Sequence, residues 1–252
     1  MPNETICDRS WTYRKHLASW FLRSCLVYYS FLIYYNLVYV LCRLKCVNHS
    51  GIQHLDSEFL LCISIWNYIT QIVFYFLINV NAIIQQFWIK DGVLLLEKFL
   101  EKSFLSIVFP LSLSVCSLFW YVYFIDRELI YPKEVEELMA PSWYNHTLHT
   151  FPVVIVLLHL ILVEHKSDPF PMSTSMLIQC TLHIFYFMLL GLYRNVHGHW
   201  FYEFISFYTS TISSSIVSYL LYGLVLPMVF VWIGYTLHIE IQTRCPSLSS
   251  PR

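Results

Sequence analysis

The chain has 252 residues, 57% of them hydrophobic and 12% charged, with a formal net charge of −1. One soluble core of that length cannot hide so many Phe, Tyr, Leu and Ile side chains, which excludes an ordinary water-soluble domain and points to lipid. The near-neutral charge is silent on nucleic acid, but no basic tract is present to bind it, so no nucleic-acid partner is expected.

A helix needs about 20 consecutive apolar residues to cross the hydrocarbon core. Six stretches qualify in chain order: 24–42, 59–80, 104–125, 143–163, 173–193 and 212–235. Short polar connections between them carry most of the charge, so the expected fold is all-α, a polytopic integral membrane protein with six transmembrane helices in one bundle and one domain over 1–252. With the N-terminus cytoplasmic, Arg43, Lys45, Arg127, Lys133 and Arg194 lie outside and the other ten of the 15 Lys and Arg lie inside. This charge bias predicts both termini in the cytoplasm, in the endoplasmic reticulum or plasma membrane. The charged start lacks a small-residue cleavage site, which predicts a retained signal anchor.

The eight cysteines are scattered without a C-x-x-C pair. Cys25, Cys42, Cys62, Cys116 and Cys180 fall in or at the end of spans, where they read as small buried hydrophobes. Cys42 and Cys46 flank the exit of the first span, and their spacing does not by itself imply a disulfide. Of the sequons Asn3-Glu4-Thr5 and Asn48-His49-Ser50, only the second lies outside in this topology.

In the second span Ser64, Asn67, Gln71, Tyr75 and Asn79 recur at three- and four-residue steps, one polar stripe on a helix. Such a stripe is either a helix-packing seam or the lining of a site. Two histidines, His146 and His149, enter the fourth span, and ionisable groups within a span are functional candidates. Ser64 lies five residues past Phe59 and His149 six past Trp143, so both sit roughly 8 to 9 Å inside the outer boundary. At matched depth a hydroxyl and an imidazole can form a Ser-His pair, the imidazole removing the proton that makes serine a poor nucleophile. Asn67, Asn145 and His146 are the nearby groups able to orient the base or to donate to an oxyanion.

Asp126, Arg127 and Glu128 close the third span, either as a solvated cap with Pro132 ending the helix or as contacts for a polar head group. His159 lies about 15 Å along the axis from His149, and His183 lies near the midplane of its span. A haem held by two histidines needs matched depth, which His149 and His183 lack. His197-Gly198-His199 is an exposed H-x-H. No H-E-x-x-H, phosphate loop, dinucleotide fingerprint, G-x-S-x-G elbow or GxSG motif occurs, so neither metal nor cofactor is expected.

Phe109-Pro110, Phe119-Trp120, the run Asp126-Arg127-Glu128-Leu129-Ile130-Tyr131-Pro132-Lys133 and the run Pro141-Ser142-Trp143-Tyr144-Asn145-His146-Thr147-Leu148-His149-Thr150 resemble the androgen-induced gene 1 family. The resemblance implies a polytopic hydrolase of fatty acid esters of hydroxy fatty acids, working with a membrane-embedded threonine and histidine. Aligning 67–75 with the family's second span carries the nucleophile onto Ser64, and the base carries onto His149. Serine therefore stands where the family has threonine, Leu60-Leu61 replaces its Trp-Lys, Trp200-Phe201-Tyr202-Glu203 replaces its W-V-Y-P, and Leu100 precedes Glu101 where it has arginine. The resulting expectation is a lipid esterase taking its substrate laterally from the bilayer. The alternative is a catalytically inactive membrane adaptor or lipid-binding regulator in which Ser64 and His149 only pack.

Overall fold

The structure is a computed structural model, and it describes residues 6–40, 59–87, 90–131, 133, 142–165, 167–208 and 220–244. Cys42, Cys46, Pro132, both sequons and the stretch 212–219 lie outside the described residues. Among those described, every regular element is a helix, as composition predicts.

Helix α1 runs from Ile6–Tyr35 and passes into a π-helical turn, Asn36–Val40. A 3-10 turn, Phe59–Leu61, leads into α2, Ile63–Phe87. Helix α3, Lys90–Ser103, continues through a π-helical turn, Phe104–Val108, into α4, Phe109–Ile125. A 3-10 turn over Arg127–Leu129 closes α4, with the Asp126 side chain accepting from the Glu128 N–H. The fourth apolar stretch is two helices, α5 over Ser142–His149 and α6 over Phe151–Leu162, bent by 47°. Helix α7, Met172–His197, stops at Gly198, whose φ of 78° few other residues adopt. Helix α8 spans Glu203–Tyr208, and a π turn, Leu221–Val225, opens α9, Leu226–Arg244.

Among the described residues, five helices, or six with the bent pair, are long and apolar enough to cross a membrane. The first apolar window is Tyr13–Val38, beginning well before residue 24, because Trp20, Phe21 and Leu22 carry the hydropathy across Arg23. Helix α4 is the centre. The helical run Leu95–Ile125 that it ends is the most buried of the apolar runs, that of α1 the least, and α4 packs on α9, α6 and α2. Phe104, Phe109, Val156, Leu160 and Val231 meet in the core it organises, with Leu32 and Tyr75 from the flanking helices. In lipid this packing is held by van der Waals contact and interhelical hydrogen bonds, since tails solvate apolar side chains as well as neighbouring helices do.

Prolines explain three of the irregularities. Pro110, Pro152 and Pro227 each fall at the second position of a helix. A ring there removes an N–H and crowds the carbonyl four residues back, so the preceding turn widens or breaks. Two of these prolines follow π turns and the third follows the 47° bend. The carbonyls of Ser106 and Ile107 accept from Gln179 Nε2 at 2.8 and 3.2 Å, so the widened turn before α4 is bonded to α7.

Close approach also requires glycine. A Cβ at Gly234 would stand 2.8 Å from the Phe109 ring, whereas one at Gly191 meets nothing within 4 Å. Gly234→Val should lower the thermal midpoint of the detergent-purified protein, with a destabilisation of about 1–3 kcal/mol from overpacking. Gly191→Ala should leave it unchanged or raise it slightly, because alanine favours an exposed helix interior.

Candidate active site

Ser64 is the second residue of α2 and is half-buried. The chain reaches it through a short pinned approach rather than along a continuous helix. The Tyr202 hydroxyl accepts from the Ile63 N–H at 3.1 Å, Tyr186 donates to the Leu61 carbonyl at 2.7 Å, and Trp66 Nε1 donates to the Leu60 carbonyl at 2.7 Å. Ser64 is therefore fixed in the first turn of a helix, where Tyr202 holds the Ile63 N–H and the Cys62 carbonyl accepts from the N–H groups of Ile65 and Trp66 at 3.0 and 3.4 Å.

His149 ends α5 and is buried. Its position follows from the bend. Val153 N–H bonds the Thr150 carbonyl at 3.2 Å, which leaves the His149 carbonyl to accept from Trp120 Nε1 at 2.8 Å. The Phe119 ring stacks on the imidazole with centroids 3.5 Å apart and planes at 11°. Nδ1 faces two oxygens of Asn145, the side-chain Oδ1 at 2.9 Å and the carbonyl at 3.1 Å. A carbonyl only accepts, so Nδ1 carries the ring proton and donates. Nε2 is then bare, and it lies 2.8 Å from Ser64 Oγ, close enough to accept the hydroxyl proton.

Asn67, one turn along from Ser64, is fully buried: Oδ1 accepts from Ser112 Oγ at 3.0 Å, and Nδ2 has no partner. Chemically the group comprises a hydroxyl, a base with its tautomer set, an amide orienting that base, and an unspent amide donor.

Residues 20–238 match the sequence profile of the FAR-17a/AIG1-like protein family. The chain belongs to that family. It is 32% identical over 99 residues to the androgen-induced gene 1 protein of Homo sapiens, a match covering 39% of this chain and 40% of that protein. It is 28% identical over 147 residues to the androgen-dependent TFPI-regulating protein of Homo sapiens, covering 56% and 59%. The protein of that name from Mesocricetus auratus is 26% identical over 120 residues, covering 48% and 52%. The chain thus spans about half the length of the curated relatives it matches. No solved structure matches it.

The other residues singled out in this family member divide clearly. His146 is exposed, with Nδ1 3.0 Å from Thr150 Oγ1 and its ring 5.3 Å from Trp120. Asp126 accepts from the Glu128 N–H, Glu128 accepts from the Lys133 N–H at 3.2 Å, and Arg127 Nε lies 3.4 Å from Glu128 Oε1. These contacts keep the two acids on their own turn rather than on His149. His159 packs 4.1 Å from the Phe104 ring, and His183 Nδ1 donates to the Gln179 carbonyl. His197 stacks on Tyr193. Among the described residues no group of three or more His, Cys, Asp and Glu is placed to hold a metal.

Sequence pattern alone did not reach Phe119, Trp120 and Tyr202 as parts of the site. Phe119 and Trp120 come from α4 and Tyr202 from the bend before α8, each far in sequence from the residue it holds, and no spacing rule links them. Tyr202→Phe should lose the bond to the Ile63 amide, at about 1 kcal/mol. Hydrogen exchange should speed up in a peptide covering 62–66 and stay unchanged in α9.

Proposed function

We propose that this protein is an intramembrane hydrolase of lipid esters, of the class in which a fatty acid is esterified to the hydroxyl of a hydroxy fatty acid. The observation that carries the reading is the Ser64 Oγ to His149 Nε2 contact of 2.8 Å, with Nδ1 held by Asn145. It is the arrangement of a nucleophile, a base and an orienting group.

In the first half-reaction Ser64 Oγ attacks the ester carbonyl as its proton passes to Nε2. The unpartnered Nδ2 of Asn67 supplies a side-chain donor for the oxyanion that develops. Collapse expels the alkoxide of the hydroxy acid, which takes the proton back from His149. Water, activated by the same nitrogen, then releases the fatty acid from Ser64. Asn145 keeps the ring in one tautomer throughout. His146 and the Arg127 turn close the same end of the bundle, where the substrate's carboxylate can remain at the interface while its acyl chains stay in hydrocarbon.

Ser64→Ala should reduce turnover of such an ester by at least about 1,000-fold and abolish labelling by a fluorophosphonate probe. His149→Asn should be similarly inactive, because it keeps a polar group but no base. Ser64→Thr should stay active, since it supplies the same Oγ with only a methyl added. Wild-type turnover by Ser64→Ala would place the nucleophile elsewhere. A well-expressed wild type that neither labels nor hydrolyses would favour a lipid-binding regulator.

The same reading includes a topology, with both termini cytoplasmic and the turn at Arg127 on the opposite side, resting on the bias of Lys and Arg. In sealed microsomes a cysteine introduced at Ser250 should react with an impermeant thiol reagent without detergent. Protection of that position until detergent is added would reverse the orientation.

A further inference from the structure

Three buried polar residues near the candidate site have no part in the chemistry above. Tyr29 of α1, Gln71 of α2 and Ser112 of α4 come from three different helices, and the first two are almost or wholly inaccessible, as is Ser112. The Tyr29 hydroxyl donates to Gln71 Oε1. Gln71 Nε2 donates to Ser112 Oγ at 2.7 Å. The Ser112 hydroxyl proton lies between the Val108 carbonyl at 2.6 Å and Asn67 Oδ1 at 3.0 Å.

We propose that Tyr29, Gln71 and Ser112 are positioning residues: they form a hydrogen-bonded relay that holds the Asn67 carboxamide with its oxygen on Ser112 and its Nδ2 free to meet the oxyanion formed at Ser64. The inference rests on the hydrolase reading of Ser64 and His149.

The direction of each bond supports it. Once Tyr29 donates to Oε1, the amide of Gln71 must present Nε2 to Ser112. Ser112 then accepts from Gln71 and has its proton to give, and Asn67 Oδ1 takes a share of it. The other end of that amide is a buried donor with no partner. Such a group is costly unless something else bonds it. An oxygen gaining negative charge one turn away on the same face of α2 would bond it more strongly in the transition state than in the ground state, which is the requirement for catalysis by a preorganised donor. If the amide turned over, it would aim Oδ1 at that charge and repel it.

A relay spread over α1, α2 and α4 also ties the donor to the packing of the bundle. Its three members touch no reacting atom in this scheme. Their effect should therefore appear in kcat and leave KM nearly unchanged, because the bond they prepare is made in the transition state.

The test is a double-mutant cycle on the full-length protein, with turnover of a fatty acid ester of a hydroxy fatty acid as readout and the thermal midpoint as a folding control. Ser112→Ala and Gln71→Met should each lower kcat about tenfold, a fraction of the loss caused by deleting an oxyanion donor outright, with KM within about twofold. Ser112→Thr keeps the hydroxyl and should restore kcat. In an Asn67→Ala background, Ser112→Ala should have no further effect, since the relay acts only through that amide. The proposal is overturned if Asn67→Ala or Ser112→Ala turns over at the wild-type rate, if the loss falls on KM, if Ser112→Thr fails to rescue while folding normally, or if the Ser112→Ala loss is undiminished without Asn67. Should Ser112→Ala not fold, Gln71→Met and Ser112→Thr carry the same comparison. Retained turnover in Ser64→Ala would instead remove the hydrolase reading on which the relay depends.

Discussion

The hydrocarbon offers no water, so a polar group placed inside the bundle is costly unless it finds a partner in another part of the chain. That constraint accounts for more of this structure than apolar packing does. Tail-like surface is present on all the helices, and lipid would cover it equally well. What selects one arrangement is the set of interhelical bonds that lipid cannot replace. Tyr29 reaches Gln71, Gln71 reaches Ser112, Tyr144 reaches Asn36, and Ser106 reaches Ser175 and through it Tyr235. Each bond joins helices that are distant in sequence, so together they fix which faces meet.

Backbone groups obey the same constraint, and prolines expose them. Each ring that opens a helix turn frees carbonyls that must be bonded again inside the slab. Gln179 takes the pair before α4, and Trp120 takes the one at the end of α5. The second of these cases positions the candidate base. A fourth span without Pro152 would run straight, its His149 carbonyl would stay in the helix, and Trp120 would have nothing to hold. The bend thus connects a backbone irregularity to the geometry of an imidazole.

Much of this was legible in the residues. The all-α membrane architecture followed from apolar windows, and the stripe from Ser64 to Asn79 lies on the inward face of α2, with Asn67, Gln71 and Tyr75 fully buried. Depth counted from Phe59 and Trp143 put Ser64 and His149 at one level, and their side chains meet. Boundaries were harder to read. Arg23 looks like the inner end of the first span because a single charge interrupts the apolar run, yet α1 passes through it without a break. Phe59 looks like the start of the second helix, but a 3-10 turn precedes it and α2 begins at Ile63. That shift places Ser64 in the first turn of α2, beside the Ile63 N–H that Tyr202 holds. The stacking of Phe119 and the bond from Tyr202 depend on how helices lie against one another, which periodicity within one helix does not encode.

In the proposed site, an asparagine in place of a carboxylate on His149 Nδ1 suits the medium. A carboxylate in that place would hold an imidazolium more strongly, but it would have to be buried as a charge beside hydrocarbon whenever the ring is neutral. An amide oxygen gives the same direction to the Nδ1 proton without a standing charge. In the proposed reaction the positive ring would appear only while the oxyanion appears, and the two charges would form close to each other. In a low-dielectric site that mutual attraction is large, so a neutral resting site can stabilise an ion pair it never has to store. The same reasoning makes a neutral donor such as Asn67 a better partner for the oxyanion than a lysine or arginine, whose charge would need its own counter-ion between turnovers.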